Sequence, residues 1–398
     1  MKTFRLLIVV AVIAAFGSCD KEPDPTPFLT IDVGFIGLDP GRELWIFAND
    51  ENGQLIDIRE LQKGPNYLRS VRNEISKVDL TIVEVFEGAH HFTTYRDVST
   101  DRPININHYN PVFPISYQVD LELSNYSEGD NPYNALSIDG GFGSTGYGTY
   151  TFDNGIFKAP VAVYIDPGKL LVSGYRAGIP VYSLTSGIKT RLVLKLDFND
   201  FVPLENLVTI NDVETAYTVG HSNEHFTGGN YVIQRTPFSD PPKTSVSIGY
   251  APGFDYYTTR VIKIDRDDAP AVEYKKVGAP ITSLTWPNVS ITTSDKSQEN
   301  FQINCSVPVD RVTTSSYFIS NSRANSWVVY GTDLSRGIPN IPPMFLARLN
   351  VSSKEVFNFL NGEIVVSGGT YTHQDFLEEK LYEGKPKKEC EYFIFYFN

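Results

Sequence analysis

Apolar residues in this chain recur at every second position. In "YQVDLELS", Tyr117, Val119, Leu121 and Leu123 alternate with Gln118, Asp120, Glu122 and Ser124, and in "RLVLKLDF", Leu192, Leu194, Leu196 and Phe198 share one face. Side chains alternate across a strand, so this period predicts strands with one buried face. Turn residues punctuate the runs: Asn52-Gly53 separates "ELWIFA" from "LIDIREL", Asn154-Gly155 separates "TYTF" from "IFKA", and Asp166-Pro167-Gly168 separates "VAVYI" from "KLLVSGY". These are the residues that tight hairpins require. Short strands with frequent turns predict a mainly β protein built of serial antiparallel β-sandwiches rather than a parallel α/β sheet.

Helix signals gather near the end. Ser352 with Glu355 forms a capping-box pattern ahead of Val356, Phe357, Phe359 and Leu360, with Gly362 as a stop. Thr372 with Asp375 repeats it ahead of Phe376, Leu377 and Leu381. Pro-bearing joints at 107–114 and 199–203 mark boundaries. The expected division is a signal segment over 1–18, a tether over 19–30, sandwiches over 31–112 and 113–203, and a β-rich domain with two short helices over 204–398.

Lys2 and Arg5 precede the apolar run Leu6 to Phe16, followed by small Gly17 and Ser18 and then Cys19. This is the layout of an export signal. Eleven helical residues rise about 16 Å, roughly half of a hydrocarbon core, so the run is too short to span. The stretch "FGSC" resembles the lipobox of bacterial lipoproteins, with Phe16 where an aliphatic residue is usual. The resemblance implies that Cys19 carries a diacylglycerol thioether and an acylated amino group. "DKEPDPTP" then reads as an extended, solvated tether. Its Lys and acids directly after the Cys resemble the surface-export signal of Bacteroidota lipoproteins, which implies an outer-membrane anchor facing the cell exterior. The unit from "FLTIDVGF" to "PININ" resembles immunoglobulin-like and carboxypeptidase-regulatory-like sandwiches in its strand, Asn-Gly turn, strand opening.

The net charge of −13 repels phosphate backbones and anionic lipid, so nucleic acid is not an expected partner and the acyl chains are the expected membrane contact. Two cysteines follow the tether. In "FQINCSVPV", Phe301, Ile303, Cys305, Val307 and Val309 share a face, and Cys390 opens the strand-like "CEYFIFYF". A Cys305–Cys390 disulfide or two buried free thiols both fit this pattern; a bridge would add about 2 to 4 kcal/mol.

Motifs with chemical overtones are few. "GFGSTG", Gly141 to Gly146, matches a dinucleotide-binding pattern, but strand-forming Tyr150 and Phe152 follow where a helix is needed. "HSNEH", His221 to His225, matches the inverted zinc-peptidase signature, whereas the flanking Gly220, Gly228 and Gly229 and the upstream "YTV" predict strand and loop. His90 and His91 would point to opposite faces of a strand. The acidic runs at 49–52 and 265–268 could offer oxygens to calcium without completing a loop motif, and no other cofactor is expected.

Among the many aromatics, Trp286, Tyr256 and Tyr257 lie in polar, loop-like surroundings suited to stacking on the apolar face of a sugar. The sequence therefore points to a lipid-anchored surface binding protein, with glycan capture or adhesion foremost. A hydrolase with unassigned carboxylates, and an accessory subunit of a surface assembly or outer-membrane transporter, are the alternatives.

Overall fold

The computed structural model describes residues 24–34, 41–72, 74–106, 116–126, 136–142, 149–164, 168–222, 229–236, 245–263, 271–298, 301–320, 322–333, 335–382 and 389–398. The protein is mainly β, and its centre is one sheet of twelve strands. In spatial order these are Asn230–Arg235, Thr215–His221, Tyr256–Lys263, Val272–Gly278, Cys390–Phe397, Asn358–Val366, Arg311–Ser320, Arg323–Gly331, Ala89–Ser99, Lys77–Phe86, Glu43–Asn49 and Leu55–Glu60. Neighbours within it run antiparallel except where Ser326 to Tyr330 lie parallel to His91 to Tyr95. That seam corrects the expected serial arrangement: strands from 31–112 and from 204–398 share one sheet. Parallel contacts also join Thr26–Val33 to Ile104–Ile106 and Leu192–Asp197 to Ser116–Ser124, so the sheets are not purely antiparallel.

The first stretch is apolar on both faces, which is why it cannot stand alone as half of a two-layer sandwich. On one face Leu44, Ile46, Ala48 and Leu80 meet Leu29, Ile31, Leu68 and Ile104 from a three-stranded sheet of Gly64–Ser70, Thr26–Val33 and Ile104–Ile106. On the other, Phe47, Val83, Phe92 and Trp327 pack beneath Phe345 and Leu349 of the helix Pro343–Leu349. Trp327 is fully buried at the seam, stacked 4.6 Å from Phe92, and its Nε1–H donates to Thr94 Oγ1 at 2.8 Å.

The middle of the chain forms a two-sheet sandwich. Val119, Leu121 and Phe157 face Ile138, Leu170, Val172 and Val181 across its core. Asn154-Gly155 closes the expected hairpin, pairing Thr151–Asp153 with Ile156–Tyr164. The second expected hairpin is not one: Ile156–Tyr164 and Leu170–Arg176 belong to opposite sheets of the sandwich. This sandwich docks against the first strand of the long sheet. Asp139 accepts from Val232 N–H at 2.9 Å, Ser137 Oγ donates to Val232 O, and Leu171 and Tyr182 pack with Tyr231 and Ile233.

The capping box at Thr372 and Asp375 starts the helix His373–Leu377 as expected. The one expected after Ser352 yields a single 3-10 turn, Lys354–Val356, capped by Ser353, and Phe359 and Leu360 then continue in the strand Asn358–Val366. Pairing with Arg311–Ser320 on one side and Cys390–Phe397 on the other outweighs the local helical stripe. The helix Pro343–Leu349 carried no recognised cap; Pro342 and Pro343 open it with the ring-fixed φ suited to a first turn.

Cys305 and Cys390 are not bridged, which removes the disulfide alternative. Cys390 is buried with Val277 and Tyr392 on one face of the long sheet, whereas Cys305 lies in a separate two-stranded sheet, Ile291–Asp295 with Gln302–Cys305, against the opposite face. The long sheet stands between them.

Because Trp327 joins packing and a hydrogen bond at the parallel seam, Trp327→Ala is expected to cost about 3 to 5 kcal/mol. Urea denaturation checks this; a loss below 1 kcal/mol would mean that the seam is not a cooperative part of the fold.

Candidate ligand-binding face

Side chains paired directly across a sheet share a face. Following the register from strand to strand places Tyr217, Arg260, Glu273, Tyr396, Glu363, Thr313, Ser315, Val328, Thr93 and His91 on the face that also carries Leu44 and Ile46. The three-stranded sheet and the segment Tyr371 to Tyr382 cover only part of it. Beyond that cover the face opens to solvent. Tyr317 is 40% exposed and Ile319 69%, while Tyr217, Arg260, Glu363 and Tyr396 are half-buried. The eight strands from Thr215–His221 to Ala89–Ser99 span about 34 Å at 4.8 Å each.

The polar groups on this face hold one another. Arg260 pairs with Glu273 through both carboxylate oxygens, Nη2 to Oε2 at 2.6 Å, and its Nη1 donates to Tyr217 OH at 3.2 Å. Tyr396 OH donates to Glu273 Oε2 at 2.9 Å. Burial first, and then the Glu273 charge, push the Tyr396 hydroxyl up, so it remains a donor. The carboxyl of Glu363 is raised by burial, with Arg311 opposing and Glu273 reinforcing the shift. At the near edge His91 shares a 2.8 Å hydrogen bond with Ser326 Oγ, while His90 faces the opposite core against Phe92 and Phe345, as the strand alternation requires.

A cleft of about 410 Å³ lies elsewhere, lined by Asp50, Arg72, Glu74, Asp79, Asp97 and Arg336 among others. Its floor is a buried charge group: Arg336 Nη2 meets Asp79 Oδ2 at 2.5 Å, with Arg96 Nε 3.9 Å away. Burial moves Asp79 upward against these two guanidiniums and pulls Arg96 down to about 10. Arg96 also donates to the carbonyls of Arg336 and Gly337, fastening that loop. A side chain at 337 would put its Cβ 1.8 Å from Gln298 O, so this close approach requires glycine. Asp50 is engaged in a turn, accepting from Asn52 and Gln54 N–H and from Arg72, and these bonds hold its carboxyl low against the opposing effect of burial. Of the two acidic runs, 265–268 lies outside the described residues, and no group of three candidate metal ligands occurs among the described residues.

The three aromatics singled out from sequence are packing residues. Tyr256 is buried and stacks 4.6 Å from the His221 ring. Tyr257 donates to Ala251 O at 2.9 Å and packs edge-on against Tyr250. Trp286 donates Nε1–H to Asn211 O at 3.2 Å and leans on Phe393. Their polar sequence neighbours suggested loops, but Tyr256 and Tyr257 lie on a strand between two partners. Tyr217, Tyr317 and Tyr396 are the aromatics on the open face. The alternation in "RVTTSSYFIS" and "CEYFIFYF" carries that signal, setting tyrosines opposite buried phenylalanines.

His221 ends a strand, with Nδ1 bonded to Asn230 at 2.6 Å and Nε2 to Thr258 at 2.8 Å, which corrects any helical peptidase reading of that motif. Its Glu224 and His225 lie outside the described residues, as do Cys19 and the 143–148 stretch of the glycine motif. Gly141 and Phe142 N–H both donate to Asp139 Oδ1.

No family model matches the chain, and no curated protein matches it. Among solved structures, the N-terminal four Ig domains of Dscam1 isoform 4.4 align over 86% of this chain and 95% of that one, at 11% identity and a TM-score of 0.13, which assigns neither fold nor activity.

His90, His221 and His373 are all lowered from the ordinary 6.5 by burial. A lowered histidine favours the unfolded state once the unfolded form binds protons, so its contribution is intact above about pH 6.5 and erodes as pH falls toward the depressed folded values. Asp79 and Glu363, raised in the fold, act with the opposite sign, so a variant comparison isolates the histidine. His221→Gln is expected to lose less stability between pH 7.5 and 5.0 than the parent, read from urea midpoints; an equal or larger loss would contradict the sign.

Proposed function

We propose that this chain is a lipid-anchored binding protein of the outer membrane, displayed at the cell exterior, that captures glycan or adheres to it through the open face of the long sheet. The observation that carries the reading is the placement of exposed Tyr317 with half-buried Tyr217 and Tyr396 on one face, between hydrogen-bonded charges. A sugar has an apolar C–H face and a hydroxyl rim, which suits aromatic planes flanked by fixed donors and acceptors. Arg260 and Glu273 already neutralise each other, so they offer hydrogen bonds to hydroxyls without demanding a counter-charge.

Tyr317→Ala and Tyr217→Ala are each expected to weaken binding roughly 2- to 12-fold, from stacking of about 0.5 to 1.5 kcal/mol. A glycan array and affinity electrophoresis of the full chain in detergent, with and without calcium, check this. Absence of saturable binding under both conditions would move the role to a protein partner, and a pull-down from solubilised outer membrane would follow.

The anchor rests on Cys19. Cys19→Ala is expected to abolish metabolic labelling by a lipid precursor and release the chain from membranes; unchanged labelling refutes the anchor.

A hydrolase reading draws on one arrangement: half-buried Glu363, raised by burial, and Glu273, ion-paired, share this face two strands apart. Two carboxylates in unlike environments can divide acid and nucleophile roles. Oligosaccharide turnover abolished by Glu363→Gln would favour it over pure binding.

A further inference from the structure

Where the open face meets the cover of Tyr371 to Tyr382, the strand Arg311–Ser320 places Arg311 on the floor. Arg311 is 6% exposed, and its Nε and Nη1 are enclosed without a hydrogen bond; no ion pair includes it among the described residues. Its guanidinium lies 4.1 Å from the Phe376 ring centroid and 5.6 Å from that of Tyr371. Ring faces attract a cation but leave its N–H groups unsatisfied, and enclosed donors without acceptors are costly.

The surrounding groups supply charge, from Glu363, but no hydrogen bond to these two nitrogens. The adjacent Thr313, 4% exposed, has an enclosed Oγ1 that also lacks a hydrogen bond. Thr313 lies directly across from Glu363 on one side and from Tyr330 on the other. Glu363 feels Arg311 as a nearby charge and not through a hydrogen bond. Half-buried Glu363 and Tyr330 connect this spot to the open face.

We propose that Arg311, with Thr313 and Tyr330 beside it, is the anchor for a carboxylate on the bound glycan, so that the ligand of this face is a uronate-containing oligosaccharide. The inference rests on the glycan-capture reading and specifies its ligand class. A planar guanidinium can donate two parallel hydrogen bonds to a carboxylate, and Thr313 and Tyr330 bring hydroxyl groups to the neighbouring register positions. Neutral sugars would meet only the tyrosines and the Arg260–Glu273 pair farther along. The chain's net charge of −13 opposes an acidic polymer at a distance, so added salt screens the repulsion while the enclosed contact is screened less.

The test compares hexagalacturonate with a neutral galacto-oligosaccharide of the same length, by titration calorimetry on the full chain in detergent at 0.05 and 0.15 M salt. The acidic oligomer is expected to bind about tenfold or more tighter at 0.15 M salt, as a charge-assisted pair would give. Its affinity is expected to hold or rise between the two salt concentrations. Arg311→Met fills the same volume without charge and is expected to erase the preference while leaving neutral-sugar binding and the urea midpoint in place. If Arg311→Met fails to fold, the parent's own preference and salt response decide. Equal affinity for both oligomers, a preference that survives Arg311→Met, or acidic binding that falls with salt overturns the uronate assignment and leaves glycan capture standing. Binding of neither oligomer overturns both.

Discussion

The structure depends on a short parallel pairing. His91 to Tyr95 lie beside Ser326 to Tyr330, more than two hundred residues later, and this contact turns what would be two sheets into one of twelve strands. Aromatic burial makes the junction firm: Phe92 and Trp327 stack across it, Phe357 meets both edge-on, and Tyr95 stacks on Tyr330 on the other face. A parallel ladder gives slightly less per residue than an antiparallel one. Here side-chain packing on both faces holds the register.

A sheet this long needs cover on both sides, and the chain supplies it piecemeal. The three-stranded sheet and the helix at His373–Leu377 cover part of one face, while the helix Pro343–Leu349 and two small two-stranded sheets cover the other. The uncovered remainder holds paired charges and tyrosines instead of leucines. That composition lets it face water without becoming an apolar patch. Arg311 lies where the two regimes meet, which is why its surroundings are both enclosed and polar.

Much of the strand content was legible in sequence because burial of one face writes itself as a two-residue period. Ser116–Ser124, Leu192–Asp197 and the Asn154-Gly155 hairpin follow directly from it. Partner choice was not legible, since period and turn chemistry are local while the seam joins distant segments. The strands Ile156–Tyr164 and Leu170–Arg176 show the limit: turn residues between two runs do not say whether the runs pair or face each other across a core. The site failed for a related reason. Trp286, Tyr256 and Tyr257 have polar sequence neighbours, but packing sets their exposure: Tyr256 and Tyr257 lie on a strand flanked on both sides, and Trp286 is tied to Asn211 O.

The last strand of the chain, Cys390–Phe397, lies in the interior of the long sheet, between Val272–Gly278 and Asn358–Val366. Under the proposed export from the N-terminus, this strand follows both of its partners, so their backbone edges wait unpaired until it arrives. Deleting the eight residues Cys390–Phe397 would leave a gap in the middle of the sheet instead of a frayed end.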